Sequence, residues 1–165
     1  MTTEPTIAQR DTQPYVGITE RVTIQNIGMV LPEVHSQVFE WLGERGIEQA
    51  GAPFWKYNVI DMATEMEVEV GVPITNEVTG DERVKAGVLP AGRYATVTHI
   101  GHPQELMGVT GELLKWGDQQ GVTWDMTETP AGQKWACRLE IYHTDPREQP
   151  DMSKWETDLA FKLAE

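Results

Sequence analysis

Glu140 is the side chain in this sequence best suited to do chemistry, because it lies among aromatic residues in a segment with strand character. Residues 135–146 read WACRLEIYHTDP. Alternation along a strand separates two faces, with Cys137, Leu139 and Ile141 on one and Arg138, Glu140 and Tyr142 on the other. We interpret the first face as core and the second as a candidate site. A solvated strand face is the alternative, since most charged side chains lie at the surface.

A carboxylate in an apolar cleft favours a particular kind of ligand. The charged form is costly there unless it is paired or protonated, so a cation that replaces lost hydration gains affinity from it. Aromatic rings add cation–π attraction and contact area. Tyr142 shares the strand face of Glu140, and Tyr94, Trp55 and Tyr57 are the other candidate walls. Core packing is the alternative for each of these rings.

Arg138 leaves the charge of this site open. It precedes Glu140 by two residues on the same predicted face, near enough to form an ion pair. An ion pair inside the cleft would bring the site close to neutral and weaken its preference for cations. A position at the rim would leave that preference intact.

The sequence lacks the residue patterns that several other common chemistries require. The single cysteine, Cys137, excludes an intramolecular disulfide, and no HExxH or paired-cysteine spacing predicts a metal site. We therefore expect no metal and no cofactor. The only serines, Ser36 and Ser153, lie outside any nucleophile-elbow pattern, and no glycine-rich phosphate loop is present. The histidines are scattered along the chain, at His35, His99, His102 and His143.

The composition limits the classes of partner that we expect this protein to bind. A net charge of −13 over 165 residues repels phosphate backbones, so direct nucleic-acid binding is not expected. The acidity indicates either solubility alone or a preference for cationic ligands. No stretch approaches the ~20 apolar residues of a membrane span, and the N-terminus lacks an apolar signal core. With one cysteine, these features predict a soluble cytoplasmic protein of unknown oligomeric state that does not bind membranes.

The elements that position the candidate site follow from hydrophobic periodicity. Residues 1–14 carry few large apolar groups and are predicted to be a disordered tail. In the first half we predict a strand from Tyr15, a helix from Pro32 to the Gly43–Gly46 region, and strands over 54–61 and 65–74. In the second half we predict an edge or connecting strand over 83–90, a strand over 93–100, a helix from 101–103 to Gly121, and strands over 135–144 and 155–163.

The two halves repeat the order strand, helix, strand, strand. Pro32 and Pro103 each follow a strand closely, although residue identity between the halves is weak. The prediction is an α+β domain over residues 15–165, with module one at about 15–75 and module two at about 83–165. Gly108 and Gly111 interrupt the second helix, and we expect them to allow close packing on the sheet.

Several segments together resemble the GyrI-like small-molecule-binding domain, the effector-binding domain also found in AraC-type and MerR-type multidrug regulators. Residues 90–101 (PAGRYATVTHIG) are similar to the strand before the second helix of that family. The sequence LLKW at 113–116 followed by Gly121 resembles the end of that helix, and EIYHTDP at 140–146 resembles its acidic-aromatic strand. VGVPI at 70–74 looks like the close of the first unit.

The resemblance implies a duplicated strand-helix-strand-strand (SHS2-type) fold of antiparallel sheets and two main helices, with a ligand cleft between the modules. Glu140 matches a glutamate that meets cationic, aromatic ligands in multidrug-binding relatives. The expected function is therefore binding of hydrophobic, aromatic and cationic small molecules, such as drugs or xenobiotics. The regulators carry a DNA-binding domain ahead of this module, and no such segment is recognisable in this sequence.

Two alternatives follow from the same resemblance. Some stand-alone relatives are hydrolases that open cyclopropane-containing genotoxic compounds, and here Glu140 would act as general base with the Tyr142 hydroxyl as donor. The family is also named after an inhibitor of DNA gyrase, which makes a protein partner the second alternative. An acidic surface at Glu65, Glu67, Glu69 and the Asp81–Glu82 pair would serve that role.

Overall fold

One curled antiparallel sheet with two helices on one face forms the core of the molecule. The computed structural model describes residues 1–61 and 63–164, and over these ranges ten strands join a single sheet. The strands are β1 (Thr6–Arg10), β2 (Gln13–Val22), β3 (Phe54–Ile60), β4 (Met66–Pro73), β5 (Lys85–Leu89), β6 (Gly92–Ile100), β7 (Met126–Thr129), β8 (Gly132–Trp135), β9 (Arg138–Tyr142) and β10 (Glu156–Lys162). The helices are α1 (Ile27–Arg45) and α2 (Leu106–Gln119), and a 3-10 turn at Pro103–Glu105 leads into α2.

The strand order places the two halves of the chain side by side. It runs β1-β6-β10-β9-β3-β4-β2-β5, so β9 and β3 form the seam between second-half and first-half strands. The hairpin of β7 and β8 attaches to β3 through β8. The predicted α+β class is confirmed, and β2-α1-β3-β4 and β6-α2-β9-β10 follow the predicted element order. Descent by duplication stays a prediction.

The helices cover the two ends of one sheet face and leave the seam between them. The apolar stripe of α1, which includes Leu31, Val34 and Val38, packs on β2 and β4. The stripe of α2, with Leu106, Val109 and Leu113, packs on β6. Burial of such stripes is what holds an amphipathic helix on a sheet. The strands β3 and β9 therefore form the part of this sheet face that lies between the two helices.

The opposite sheet face has a core of its own. Tyr15 meets Phe54 edge to face at 5.3 Å, and Leu89, Tyr94 and Cys137 belong to the same buried cluster. Leu89 of β5 and Tyr94 of β6 come from distant places in the strand order, so the sheet must curl to bring them together. The predicted core face of β9, with Cys137 just before it, is confirmed here.

The prediction of a disordered tail over residues 1–14 is wrong. Residues 6–10 form β1, which pairs with β6 from Thr6 opposite Thr96 to Arg10 opposite Gly92. Thr2 Oγ1 lies 2.8 Å from His99 Nδ1, and Gln13 already belongs to β2. The side chains of β1 are exposed or half-buried. Backbone hydrogen bonds to a sheet edge need no apolar side chains, so composition gave no signal for this strand.

The first helix begins before its predicted start at Pro32. Thr23 and Asn26 close the turn that leads into it, since the Asn26 N–H donates to Thr23 Oγ1, the Thr23 N–H donates to Asn26 Oδ1 and the Ile27 N–H donates to the Thr23 carbonyl. Pro32 therefore lies inside the helix, where its missing N–H leaves the Gly28 carbonyl without the usual donor. The predicted end is confirmed by Gly46, which takes the left-handed conformation with φ of 64°.

Two further predictions for the second half need correction. A Cβ at Gly108 or Gly111 would meet open space, so these glycines do not pack closely on the sheet. Gly117 makes the close contact of this helix, but with the segment that follows it, because a Cβ there would overlap the ring of Trp124. The strand predicted over 135–144 is divided, since β8 ends at Trp135 and β9 begins at Arg138. The hairpin of β7 and β8 was not predicted.

Candidate ligand-binding site

The central cleft is the part of the helix-bearing sheet face that lies over the seam of β3 and β9. Trp55 of β3 stands directly opposite Glu140 of β9, and cross-strand partners point to the same side of a sheet. Leu159 of β10, which belongs to the core under α2, is the other direct neighbour of Glu140. The side chains that define the cleft are half-buried, namely Trp55, Tyr57, Arg138, Glu140 and Tyr142.

The Glu140 carboxylate is fixed through one of its two oxygens. Oε1 accepts hydrogen bonds from the Tyr57 hydroxyl at 2.9 Å and the Tyr142 hydroxyl at 2.5 Å. In the described ranges no protein donor reaches Oε2, and this oxygen is not buried. The carboxylate therefore presents one oxygen to the cleft in a fixed orientation.

Burial and hydrogen bonding act in opposite directions on Glu140. Desolvation raises the pKa of this carboxyl above its usual 4.5, because the charged form loses hydration. The hydroxyls of Tyr142 and Tyr57, and at longer range the charge of Arg138, oppose this rise in the pKa. Burial beside the carboxylate also raises the pKa of both tyrosines well above 10.0, so they remain donors.

Trp55 and Tyr142 supply aromatic surface next to the carboxylate. Their rings meet edge to face, with centroids 5.1 Å apart. The indole Nε1 of Trp55 is buried and has no hydrogen-bond partner in the described part of the chain. Buried donors almost always have an acceptor, so an unsatisfied indole N–H is an unusual feature of this region.

Arg138 does not form an ion pair with Glu140. Its guanidinium carbon lies 4.5 Å from the ring centroid of Phe161, 4.8 Å from that of Trp135 and 6.0 Å from that of Tyr57. Of the carboxylates in residues 1–61 and 63–164, none has an oxygen within 4.0 Å of its nitrogens. Burial lowers the pKa of Arg138 to about 10, so the side chain is cationic at neutral pH.

Tyr94 lies outside the central cleft, although the sequence predicted it as a wall. It pairs with Lys162 across the sheet and belongs to the core on the opposite face, where its side chain is 1% exposed. Its hydroxyl donates to the Pro90 carbonyl at 2.7 Å. The period of two along a strand fixes faces within that strand only, so the sequence could not relate Tyr94 to Glu140.

The predicted acidic surface is also incomplete. Glu69 is buried on the face opposite the cleft, and its Oε1 accepts a hydrogen bond from the Tyr15 hydroxyl at 2.7 Å. Asp81 accepts from the Trp41 indole N–H at 2.8 Å, which ties this residue to α1. Glu65, Asp81 and Glu82 are exposed and Glu67 is half-buried, so Glu69 is the member of the predicted set that is missing from the surface.

One cluster of titratable residues was missed in the sequence. His143, Glu156 and Asp158 bring possible ligand atoms within 4.8 Å of one another, and His143 Nε2 lies 2.8 Å from Asp158 Oδ2. Glu156 and Asp158 lie on β10 and alternate with Thr157 and Leu159, and His143 directly follows β9, so the cluster lies away from the central cleft. The pairing of β9 with β10 creates this proximity, and the spacing along the chain gave no sign of it.

Among the described residues, no helix is long and apolar enough to cross a membrane.

Solved structures share this fold at low sequence identity. The chain is similar to EcmrR in an EcmrR–DNA complex, with 16% identity, a TM-score of 0.77 and coverage of 98% of this chain but 57% of EcmrR. It is also similar to the EcmrR C-terminal domain alone, with 16% identity, a TM-score of 0.72 and 98% coverage of both chains. The chain thus corresponds to little more than half of EcmrR.

Two further solved structures bear on ligands. SAV2435 bound to tetraphenylphosphonium matches with 12% identity, a TM-score of 0.63 and coverage of 98% of this chain and 94% of that chain. A hydrolase from Listeria innocua matches with 12% identity, a TM-score of 0.65 and coverage of 98% and 92%. No curated protein matched the chain. The profile of the GyrI-like small molecule binding domain matches residues 3–164, and the chain belongs to this family.

Proposed function

We propose that the central cleft binds an aromatic, cationic small molecule with Glu140 as its counter-ion. The observation that carries this proposal is the state of the carboxylate: Oε1 is held by two tyrosine hydroxyls, and Oε2 is left to the cleft. Membership of a small-molecule-binding family supports it. The fold is also shared with SAV2435, whose structure contains tetraphenylphosphonium.

The surroundings of the Glu140 carboxylate favour such a ligand. Desolvation makes the ionised carboxylate costly, so a cation close to Oε2 restores part of the lost interaction energy. Tyr57 and Tyr142 hold the carboxylate in place, which reduces the entropy lost on binding. The rings of Trp55 and Tyr142 provide an apolar wall with cation–π attraction.

Tetraphenylphosphonium is a direct probe of this site. Its binding is followed by quenching of tryptophan fluorescence in wild type, Glu140→Gln and the control Glu67→Gln. Glu67 lies on β4 and faces away from the cleft, so the control removes one negative charge elsewhere. We expect saturable binding that weakens by about tenfold or more in Glu140→Gln and stays near wild type in Glu67→Gln. No saturable binding, or equal loss in both variants, would contradict the proposal.

Hydrolysis is the second candidate function, and the Oε2 of Glu140, to which no donor among the described residues binds, is the observation that favours it. A carboxyl with a raised pKa can act as a general base on a water at this oxygen. The Tyr142 hydroxyl already donates to Oε1 and would have to change partner before it could donate to a substrate oxygen. The shared fold with a hydrolase from Listeria innocua gives this candidate further support.

Turnover separates the two functions. The protein is incubated with a strained cyclopropane electrophile, and water addition is followed by mass spectrometry. Product formed by wild type but not by Glu140→Gln would establish hydrolysis. Saturable binding of the cation without any water addition to the electrophile would favour binding without turnover.

A further inference from the structure

The central cleft contains a charged donor group that the protein itself does not satisfy. The Arg138 guanidinium offers five N–H donors, and within the described residues it makes no hydrogen bond and meets no carboxylate within 4.0 Å. The guanidinium nitrogens are not fully buried, so an acceptor on a ligand in the cleft can reach them and form a charge-assisted hydrogen bond.

Aromatic packing holds Arg138 in position. Its guanidinium lies against the rings of Phe161 and Trp135, and Tyr57 stands at 6.0 Å. These contacts hold the side chain in place without using any of its N–H donors. Arginine in such a setting keeps its planar fork of N–H groups, which matches the two oxygens of a carboxylate. The Arg138 guanidinium can therefore bind an oxyanion without losing another hydrogen bond.

Arg138 and Glu140 are set at a short, fixed spacing. They are two residues apart on β9 and point to the same face, so their Cα atoms are about 7 Å apart. The opposite charges do not meet each other. A plain cation would satisfy Glu140 and leave Arg138 as an uncompensated positive charge nearby. A ligand that carries both charges would satisfy both residues.

We propose that the cognate ligand is an aromatic zwitterion, with its cationic group at Glu140 Oε2 and a carboxylate or similar oxyanion at the Arg138 guanidinium. This inference rests on the proposed function and specifies the class of ligand. The cleft and its ligand are then both close to neutral, so the overall charge of −13 contributes little to affinity.

Rhodamine 110 and rhodamine 123 form a matched pair of probes. Both have an aromatic cationic ring system, and the free carboxylate of rhodamine 110 is a methyl ester in rhodamine 123. Fluorescence anisotropy gives the dissociation constants of both dyes for wild type, Arg138→Gln, Arg138→Lys and Glu140→Gln. Thermal unfolding of each variant confirms that it is folded.

We expect wild type to bind rhodamine 110 about tenfold or more tightly than rhodamine 123. Arg138→Gln should lose about tenfold for rhodamine 110 and bind rhodamine 123 equally well or better, since a like charge has been removed. Arg138→Lys retains the charge without the planar fork and should keep part of the preference. It also tests the inference if Arg138→Gln fails to fold.

Three results would overturn the inference. If rhodamine 123 binds in a Glu140-dependent way and wild type shows no preference for rhodamine 110, the proposed function stands and the zwitterion is excluded. Equal loss of both dyes in the Arg138 variants would make Arg138 a purely structural residue. If neither dye binds wild type, the proposed function and this inference fail together.

Discussion

Glu140 owes its character to its immediate neighbours. Alternation along β9 was enough to predict that Arg138, Glu140 and Tyr142 share a face opposite a buried one. The structure brings Trp55 and Tyr57 to the same place, whereas their roles in binding stay predictions. The sequence could not show that two tyrosines share one carboxylate oxygen, because this depends on the register between β3 and β9.

Tyr57→Phe should change the pH dependence of cation binding. Loss of this hydroxyl removes a donor that lowers the pKa of Glu140, so the pKa of the carboxyl rises further. Cation binding requires the ionised form, and affinity therefore increases as pH rises through this pKa. We expect the midpoint of tetraphenylphosphonium affinity against pH to move upward in the variant. An unchanged or lower midpoint would show that Tyr57 does not stabilise the ionised carboxylate.

Glu140→Gln should alter the pH dependence of stability. The pKa of Glu140 in the folded state lies above its usual 4.5, so between these values the native state binds more protons than the unfolded state. The free energy of unfolding then falls as pH rises from about 4.5 through the folded pKa. Urea unfolding at a series of pH values should show a smaller fall in the variant. Parallel curves for wild type and variant would contradict the raised pKa.

At the scale of elements, hydrophobic periodicity predicted both helices and most strands. It failed where interactions other than burial of apolar side chains determine the structure. The edge strand β1 is held by backbone pairing, so its polar composition was misleading. α1 begins directly after a turn closed by Thr23 and Asn26, ahead of Pro32, where the proline signal had predicted its start. The glycines of α2 look alike in sequence, and only the structure separates those in open space from the one that packs on Trp124.

Two glycine variants of α2 test this distinction. Gly111→Ala places a methyl group in open space and should stabilise the protein by about 1 kcal/mol through helix propensity. Gly117→Ala has the same propensity gain but forces the methyl group against Trp124, so we expect a net loss of stability. Urea unfolding measures both free energies. Equal stabilisation by both changes would place Trp124 away from this helix.

The whole molecule is a curled sheet whose two halves meet at the cleft. The element order and the family could be predicted from the sequence, because motifs and hydrophobic stripes survive where residue identity is weak. The curl of the sheet and the position of the first ten residues could not. They depend on pairing between residues about 90 positions apart, such as Thr6 and Thr96.

Limited proteolysis with trypsin tests the order of the N-terminal segment. Arg10 ends β1 and is half-buried, whereas the side chain of Arg147 is 90% exposed in a loop. Each is followed by an acidic residue, so their intrinsic cleavage rates are comparable. We expect cleavage after Arg147 to precede cleavage after Arg10, as followed by mass spectrometry. Faster cleavage after Arg10 would restore the prediction of a mobile tail.

The central claim is that the cleft selects positive charge through Glu140. Tetraphenylphosphonium and tetraphenylborate have nearly the same shape and opposite charges, so calorimetric titration of both into wild type, Glu140→Gln and Glu67→Gln isolates this effect. We predict that wild type and Glu67→Gln bind the cation about tenfold or more tightly than the anion, and that Glu140→Gln largely loses this preference. A preference that persists unchanged in Glu140→Gln would contradict the claim and assign the selectivity to the overall charge of −13.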